Sequence, residues 1–301
     1  MIEALYVAVP EYVYPRDGFD PVKLAYFEKL TGIKKTRLWN LDAEQVISLG
    51  IKKFGLAQSV GHLDSVIVVT QTPSRTSPCM AMTAVKELGL GPDVMAFDIN
   101  QSCTGYVYGL HIAKVLAGRT LLICVDLLNL HEPGNEISVS DLIFSQAVSF
   151  TVLNGYSGAS ANLRCGYKCF PEGVDKLVRG LGDSPQMKMD GPAIFDWATK
   201  EVPEFIMLGT SAFDAQALIL HQANESMMDM IVKRSKFKGL VPKSIHEYGN
   251  ASMNSIPITI AMHEKELLDK RLLLVGYGAG FSLAGAALAW PDKPVSQLIE
   301  I

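Results

Sequence analysis

The chain has 301 residues, 49% of them hydrophobic and 19% charged, with 27 basic against 31 acidic side chains and a net charge of −4. That supplies apolar material for a large buried core, in two domains or two halves of one, and it excludes the basic footprint of a nucleic-acid-binding protein. Cys79, Cys103, Cys124, Cys165 and Cys169 are too few and too scattered for a disulfide framework and fit a reducing compartment. The C-x3-C pair at Cys165 and Cys169 has no partner ligands at zinc spacing, so no metal is expected.

The first residues carry neither a basic region nor a small-residue cleavage site, so no signal peptide is read there. The longest apolar candidate for a membrane span, about residues 120–130, is broken by Asp126 and falls short of the ~18 residues required. A cytoplasmic protein that binds no membrane is expected. Short runs rich in Val, Ile and Leu at 4–9, 65–70, 94–99, 120–125 and 148–153 lack alternation and predict strands buried on both faces. Helical patterns lie between several of them, at 43–59, 80–88 and 105–116. A polar, glycine-rich stretch from about 154 to 190 predicts a loop excursion. Helices at 193–208 and 225–234 and strands at 217–220 and 272–275 then form a second α/β run. Strands alternating with helices predict an α/β fold. Residues 1–155 make an N-terminal half, 156–190 the excursion and 191–301 a C-terminal half. There is no repeat at the residue level.

Four segments carry possible chemistry. In DINQSCTGYVYGL, residues 98–110, Cys103 sits where a strand turns into a helix. A helix N-terminus there favours thiolate, and its free backbone N–H groups can stabilise an oxyanion. A buried structural thiol explains that segment equally well. In LILHQAN, His221 ends an apolar strand before a helix; alone, it reads as a hydrogen-bonded structural histidine. In EYGNASMNSIP, Gly249 and Asn250 make a turn, and asparagine is commonly tolerated there. GYGAGFSLAGAAL, residues 276–288, lets backbone approach a ligand closely but lacks the G-K-[ST] of a phosphate loop.

The order and types of these segments together resemble beta-ketoacyl-ACP synthase III, a condensing enzyme that starts fatty-acid and some polyketide chains. The likeness runs along nearly the whole chain: KLTGIKKTR from residue 29, VIVVTQTPS, AFDINQSCTGYVYGL, LHQAN, YGNASMNSIP and GYGAGFSLAGAAL. It implies the five-layered αβαβα thiolase fold, built of two pseudo-repeated halves, and a homodimer, with a heterodimer left open. It implies that Cys103 accepts an acyl group, that His221 and Asn250 bind the thioester oxygen of a decarboxylating malonyl extender, and that the N–H groups of Cys103 and Gly280 form the oxyanion hole. Acyl-CoA and acyl carrier protein are the implied substrates and partners, with no tightly bound cofactor. Lys233, Arg234, Lys236 and Lys238 are the implied carrier-docking patch. A solvated helix end explains the same cluster.

Departures from the family pattern are concentrated around the substrate. IFSQAVSF at 143–150 replaces a GDGAG-like segment, and Ser226 stands where an arginine follows HQAN. Tyr26 replaces a stacking tryptophan, Leu30 a common arginine, and Tyr248 the histidine of HGN. Phe195 in MKMDGPAIFDWA is the best acyl-tunnel candidate, and Met80, Met189 and Trp197 are others that core packing explains equally. The changed CoA anchors point away from acetyl-CoA and toward priming of a specialised pathway. An acyltransferase to an O, N or S acceptor, or one subunit of a heterodimeric ketosynthase, fits the same three residues. A thiolase fits less well, because no second cysteine lies near the C-terminus. His246 reads as a loop residue.

Overall fold

The computed structural model describes residues 2–116, 118–128, 139–155, 163–180, 187–291 and 295–301. In chain order its elements are β1 (Ile2–Val9), α1 (Pro21–Thr31), α2 (Ala43–Lys53), α3 (Leu56–Ser59), β2 (Ser65–Val69), α4 (Ala81–Glu87), β3 (Met95–Ile99), α5 (Gly105–Leu116), β4 (Arg119–Asp126), α6 (Val139–Ile143) and β5 (Ala147–Asn154). They continue with β6 (Arg164–Cys169), β7 (Leu177–Arg179), β8 (Met187–Met189), α7 (Gly191–Phe213), β9 (Ala217–Leu220), α8 (Glu225–Ser235), α9 (Ile245–Tyr248), α10 (Ser255–Met262), α11 (Glu264–Leu267), β10 (Arg271–Gly278), β11 (Ser282–Ala289) and β12 (Val295–Glu300).

Two main sheets result, ordered β12-β1-β5-β4-β2-β3 and β6-β11-β10-β9, with a small β7-β8 hairpin beside them. The repetition that the residues hide is plain in the pairing. In the first sheet β2 runs parallel to β4, and β5 runs antiparallel to both β4 and β1. In the second, β9 runs parallel to β10, and β11 runs antiparallel to both β10 and β6. Topology is kept because it fixes which faces can be buried; a divergent sequence satisfies it with any apolar residue of suitable size.

Alternation along the strands explains the layers. Val7, Ile67, Val69, Leu122 and Cys124 of the first sheet point to the same core as Leu272, Leu274 and Ala284 of the second. Tyr106, Val107 and Leu110 of α5 and Ile256, Ile258 and Ile260 of α10 fill the space between them. The opposite face of the first sheet, through Val66, Val68, Leu121 and Ile123, packs under α2 and α4. The opposite face of the second, through Leu218, Leu220, Leu273 and Val275, packs under α7 and α8. The arrangement is helix, sheet, helix, sheet, helix, as the fold reading requires.

Two segments differ from expectation. The stretch expected as an excursion supplies β6, which extends the second sheet, and the β7-β8 hairpin. Cys165 and Tyr167 of β6 pack onto the middle layer while Arg164 is exposed, so this edge strand is only half apolar and reads as polar. Residues 295–300 leave the C-terminal half altogether and pair with β1 in parallel as β12, with Ala4 opposite Val295. Among the described residues no helix is long and apolar enough to cross a membrane.

Candidate active site

Cys103 sits in the turn from β3 to α5 and is 8% exposed. The Gly105 N–H donates to the Ser102 carbonyl at 2.6 Å, and the Tyr108 N–H donates to the Thr104 carbonyl at 3.1 Å to start the helix. This turn lies against β10 at two residues without side chains. A Cβ on Gly276 would come within 2.8 Å of the Cys103 carbonyl oxygen, and one on Gly278 within 3.1 Å of its Sγ. Burial pushes the Cys103 thiol up to about 12, with a smaller raising effect from Asp126 and an opposing one from the Ser252 hydroxyl. The expected thiolate is therefore corrected to a resting thiol.

His221 follows β9, its N–H donating to the Val275 carbonyl at 2.8 Å and its ring edge-on to Tyr277. Its Nδ1 lies 2.8 Å from Ser255 Oγ. That hydroxyl donates to the Ser252 carbonyl at 2.8 Å and accepts from the Gln222 N–H at 3.1 Å. With the serine proton committed, Nδ1–H is the donor, which leaves Nε2 as the bare acceptor. Burial lowers the imidazole to about 4, so it is neutral at ordinary pH.

Asn250 is held by its backbone against the segment that replaces the family's small residues. Its N–H donates to the Ile143 carbonyl, and its carbonyl accepts from the Ser145 N–H, both at 3.0 Å. Gly249 has φ +53°, and a Cβ there would meet the Ile143 and Lys35 carbonyl oxygens at 3.1 Å. Asn250 Oδ1 accepts from the Ser252 N–H at 3.0 Å, which leaves Nδ2 as the donor for a ligand.

Cys103, His221 and Asn250 line one cavity of ≈ 650 Å³ together with Leu30, Phe144, Leu177, Met189, Phe195, Met227 and Tyr277. Phe195 and Met189 are thus in its wall. Met80 is buried under the first sheet, and Trp197 stacks on Phe281 at 4.4 Å. Two of the expected site residues are elsewhere. Tyr26 is 68% exposed and does not line the cavity; Leu30, one turn further along α1, does. Gly278 and Ala279 reach the cavity, whereas Gly280 lies beyond it, because β10 ends at Gly278 and the chain then turns into β11.

A buried polar chain behind Cys103 was not anticipated. Ser252 Oγ lies 4.0 Å from Cys103 Sγ and accepts from Gln71 Nε2 at 3.2 Å. The same Nε2 donates to Asp126 Oδ2 at 2.8 Å, and the Gln71 N–H donates to Oδ1 at 2.9 Å. Burial raises the Asp126 carboxyl to about 6 against the lowering effect of Gln71. A charge ending the apolar run at 120–125 was the available signal, since an acid at a buried strand end needs a reason to be there.

The C-terminal part, residues 208–290, matches the family described as 3-oxoacyl-[acyl-carrier-protein (ACP)] synthase III C terminal. The beta-ketoacyl-[acyl-carrier-protein] synthase III of Clostridium perfringens strain 13 is 31% identical over 302 residues, covering 86% of this chain and 88% of the relative. The chain belongs to the beta-ketoacyl-ACP synthase III family. It is a condensing acyltransferase. The 3-oxoacyl-(acyl-carrier protein) synthase of Burkholderia xenovorans LB400 superposes with a TM-score of 0.89 at 26% identity, covering 100% of this chain and 96% of the other. The priming beta-ketosynthase of the R1128 polyketide pathway shares the fold, with a TM-score of 0.79 at 20% identity over 97% of this chain and 96% of the other.

The departures of this chain from the family pattern have definite places. Leu30, Ser226, Ile143 and Phe144 all line the cavity. Ser145 Oγ accepts from the Arg37 N–H at 3.0 Å, and Gln146 Oε1 accepts from the Trp39 N–H at 2.7 Å, so the replaced segment also ties down the chain after α1. His246 pairs with Glu225 at 3.0 Å on α9, outside the cavity wall. Lys233, Arg234, Lys236 and Lys238 are exposed at the end of α8, with Arg234 also donating to the Thr199 carbonyl at 2.7 Å. Cys165 and Cys169 are free thiols on β6.

Proposed function

We propose that this enzyme loads an acyl group onto Cys103 and condenses it with a malonyl thioester. The observation that carries the reading is the convergence of Cys103, His221 and Asn250 on one largely apolar cavity, with their hydrogen-bonding capacity left facing it. Cys103 Sγ attacks the donor thioester carbon as its proton passes to His221 Nε2. The oxyanion forms beside the N–H groups of Cys103 and Ala279, the latter replacing Gly280. Collapse expels the donor thiol, which takes a proton, and leaves acyl-Cys103 and neutral His221. The malonyl thioester then loses carbon dioxide. Asn250 Nδ2 and His221, in the tautomer that carries its proton on Nε2 while Nδ1 accepts from Ser255 Oγ, donate to the enolate oxygen; its carbon attacks the acyl group, and the Cys103 thiolate that leaves takes a proton from solvent. A largely apolar wall keeps competing water from the acyl-enzyme.

The donor is an acyl carrier protein, or a CoA thioester other than acetyl-CoA, and the step primes a specialised lipid or polyketide pathway. The replaced anchors around Leu30 and Ser226 support this. The carrier docks on Lys233, Arg234, Lys236 and Lys238, at the far end of the helix whose first turn lines the cavity. Two copies associate along β3, which lies at the open end of the six-stranded sheet order with Met95 56% exposed. Intact-protein mass spectrometry with acyl-CoA and acyl-carrier donors, against Cys103→Ala, tests loading. Carbon dioxide release from malonyl carrier protein tests condensation. Loading without carbon dioxide release would instead mark transfer to an O, N or S acceptor.

A further inference from the structure

One guanidinium interrupts the cavity wall. Arg179, the last residue of β7, is the only Lys or Arg among the described lining residues, and Leu177, Met187, Met189, Leu128 and Phe144 share the wall with it. Its Nη1 donates to the Gln71 carbonyl at 3.1 Å, which fixes the group in place. Its Nε is buried and has no hydrogen-bond partner. Nε is thus closed off, but Nη2 is not buried and makes no hydrogen bond, so it is the donor left for a ligand atom that accepts from it. Asp126 attracts the guanidinium through space but makes no hydrogen bond with it. Both its oxygens accept from Gln71, which lies in the cavity wall while Asp126 does not. Asp196, the one acid among the described lining residues, belongs to α7 and makes no ion pair with Arg179.

We infer that the acyl chain accepted by Cys103 carries an oxygen acceptor beyond its thioester carbonyl, and that the Arg179 guanidinium binds it through Nη2. The acceptor is a hydroxyl, keto or carboxylate oxygen, so the substrate is an oxygenated acyl thioester and not a plain alkanoyl one. The inference rests on the reading of Cys103 as the acyl acceptor. The extender's carboxylate is the poorer candidate for this contact. It leaves as carbon dioxide, and a guanidinium bound to it would stabilise the ground state more than the transition state.

The test compares Cys103 acylation rates with butyryl-, 3-hydroxybutyryl-, acetoacetyl- and succinyl-CoA in the wild type, Arg179→Met and Arg179→Lys. The wild type is expected to favour at least one oxygenated donor over butyryl-CoA by about tenfold or more, the worth of one hydrogen bond. Arg179→Met is expected to lose that preference while still accepting butyryl-CoA, and Arg179→Lys to keep part of it. The preferred donor identifies the acceptor as neutral or anionic. A wild type that takes butyryl-CoA at least as fast as all the others overturns the inference, as does an unchanged preference in Arg179→Met. An equal loss with every donor also overturns it, because CoA is common to all and the arginine would then be serving the carrier or the fold. Labelling by no donor at all, the same acyl groups on acyl carrier protein included, sinks the Cys103 reading itself, and this inference with it.

Discussion

Replacing Asp126 with asparagine should make the protein more stable at neutral pH and less active. The carboxyl has an ordinary value of 3.8 and is raised by burial to about 6. A folded-state value above the unfolded one means that the stability contribution is complete below 3.8 and is lost as pH rises through about 6. The shift of about 2 units corresponds to about 3 kcal/mol of cost at pH 7. Asparagine removes that cost. Its Oδ1 can still accept from the Gln71 N–H, but its Nδ2 faces Gln71 Nε2, donor against donor. The Gln71 amide must turn over or lose the contact, at about 1 kcal/mol. The net gain at pH 7 is about 1–2 kcal/mol, and it should vanish or reverse near pH 4. Turning the amide also points Gln71 Oε1 at Ser252, whose hydroxyl then donates to it and no longer to Cys103. Acylation should slow by about tenfold. Urea unfolding at pH 4 to 8 measures the first effect and acyl-enzyme mass spectrometry the second. A stability difference that does not change with pH, or a wild type more stable than the variant at pH 7, refutes the reasoning.

Gly278→Ala places a Cβ 3.0 Å from Cys103 Cβ and 3.1 Å from Sγ; it should cost about 1–3 kcal/mol in stability and slow acylation by more than tenfold, measured in the same two assays. Alkylation of Cys103 by iodoacetamide at pH 7 should be about a thousandfold slower than that of free cysteine, since its value rises from 9.0 to about 12; labelling at the free-cysteine rate would contradict the buried thiol. His221 falls from 6.5 to about 4, so its contribution is intact above 6.5 and lost as pH falls through 4. Wild-type stability should decline over that window more steeply than that of His221→Gln. Reversing Lys233, Lys236 and Lys238 to glutamate should lower kcat/KM with carrier-bound donors by about tenfold or more at low salt and leave turnover of a small thioester unchanged. The gap should shrink as salt is added.

Cys103, His221 and Asn250, which share one cavity, each stand at an abrupt change of pattern in the sequence: Cys103 and His221 where an apolar strand stops, Asn250 in a glycine turn. The pattern alone could not say which glycine of GYGAG faces Cys103. Gly276 and Gly278 press on Cys103 while Gly280 turns toward β11, and only the register of that hairpin decides between them. Tyr26 was matched by position along the chain, but α1 buries only Thr31, so no apolar periodicity told which of its faces turns to the cavity. β6 and β12 escaped because edge strands are half polar and gain their partners from distant sequence. Gln71 and Ser252 were invisible for a similar reason: each is an ordinary polar residue until Asp126 and Cys103 are brought to it from elsewhere in the chain.

The state of Cys103 shows how magnitude settles two opposed arguments. A helix N-terminus stabilises an anion by ~0.3–1 kcal/mol, less than one unit of pKa. The rise of Cys103 from 9.0 to about 12 corresponds to about 4 kcal/mol in the other direction. Burial wins, and it also keeps His221 neutral, so the resting pair is an uncharged thiol and an uncharged imidazole. Such a pair has no standing thiolate to react with passing electrophiles. In the proposed mechanism, charge separates only when a thioester carbonyl is in place to move it onto an oxyanion, beside the N–H groups of Cys103 and Ala279 and with Nε2 of His221 free to take the proton. Selectivity for thioesters then follows from the same burial that makes the thiol a poor nucleophile on its own.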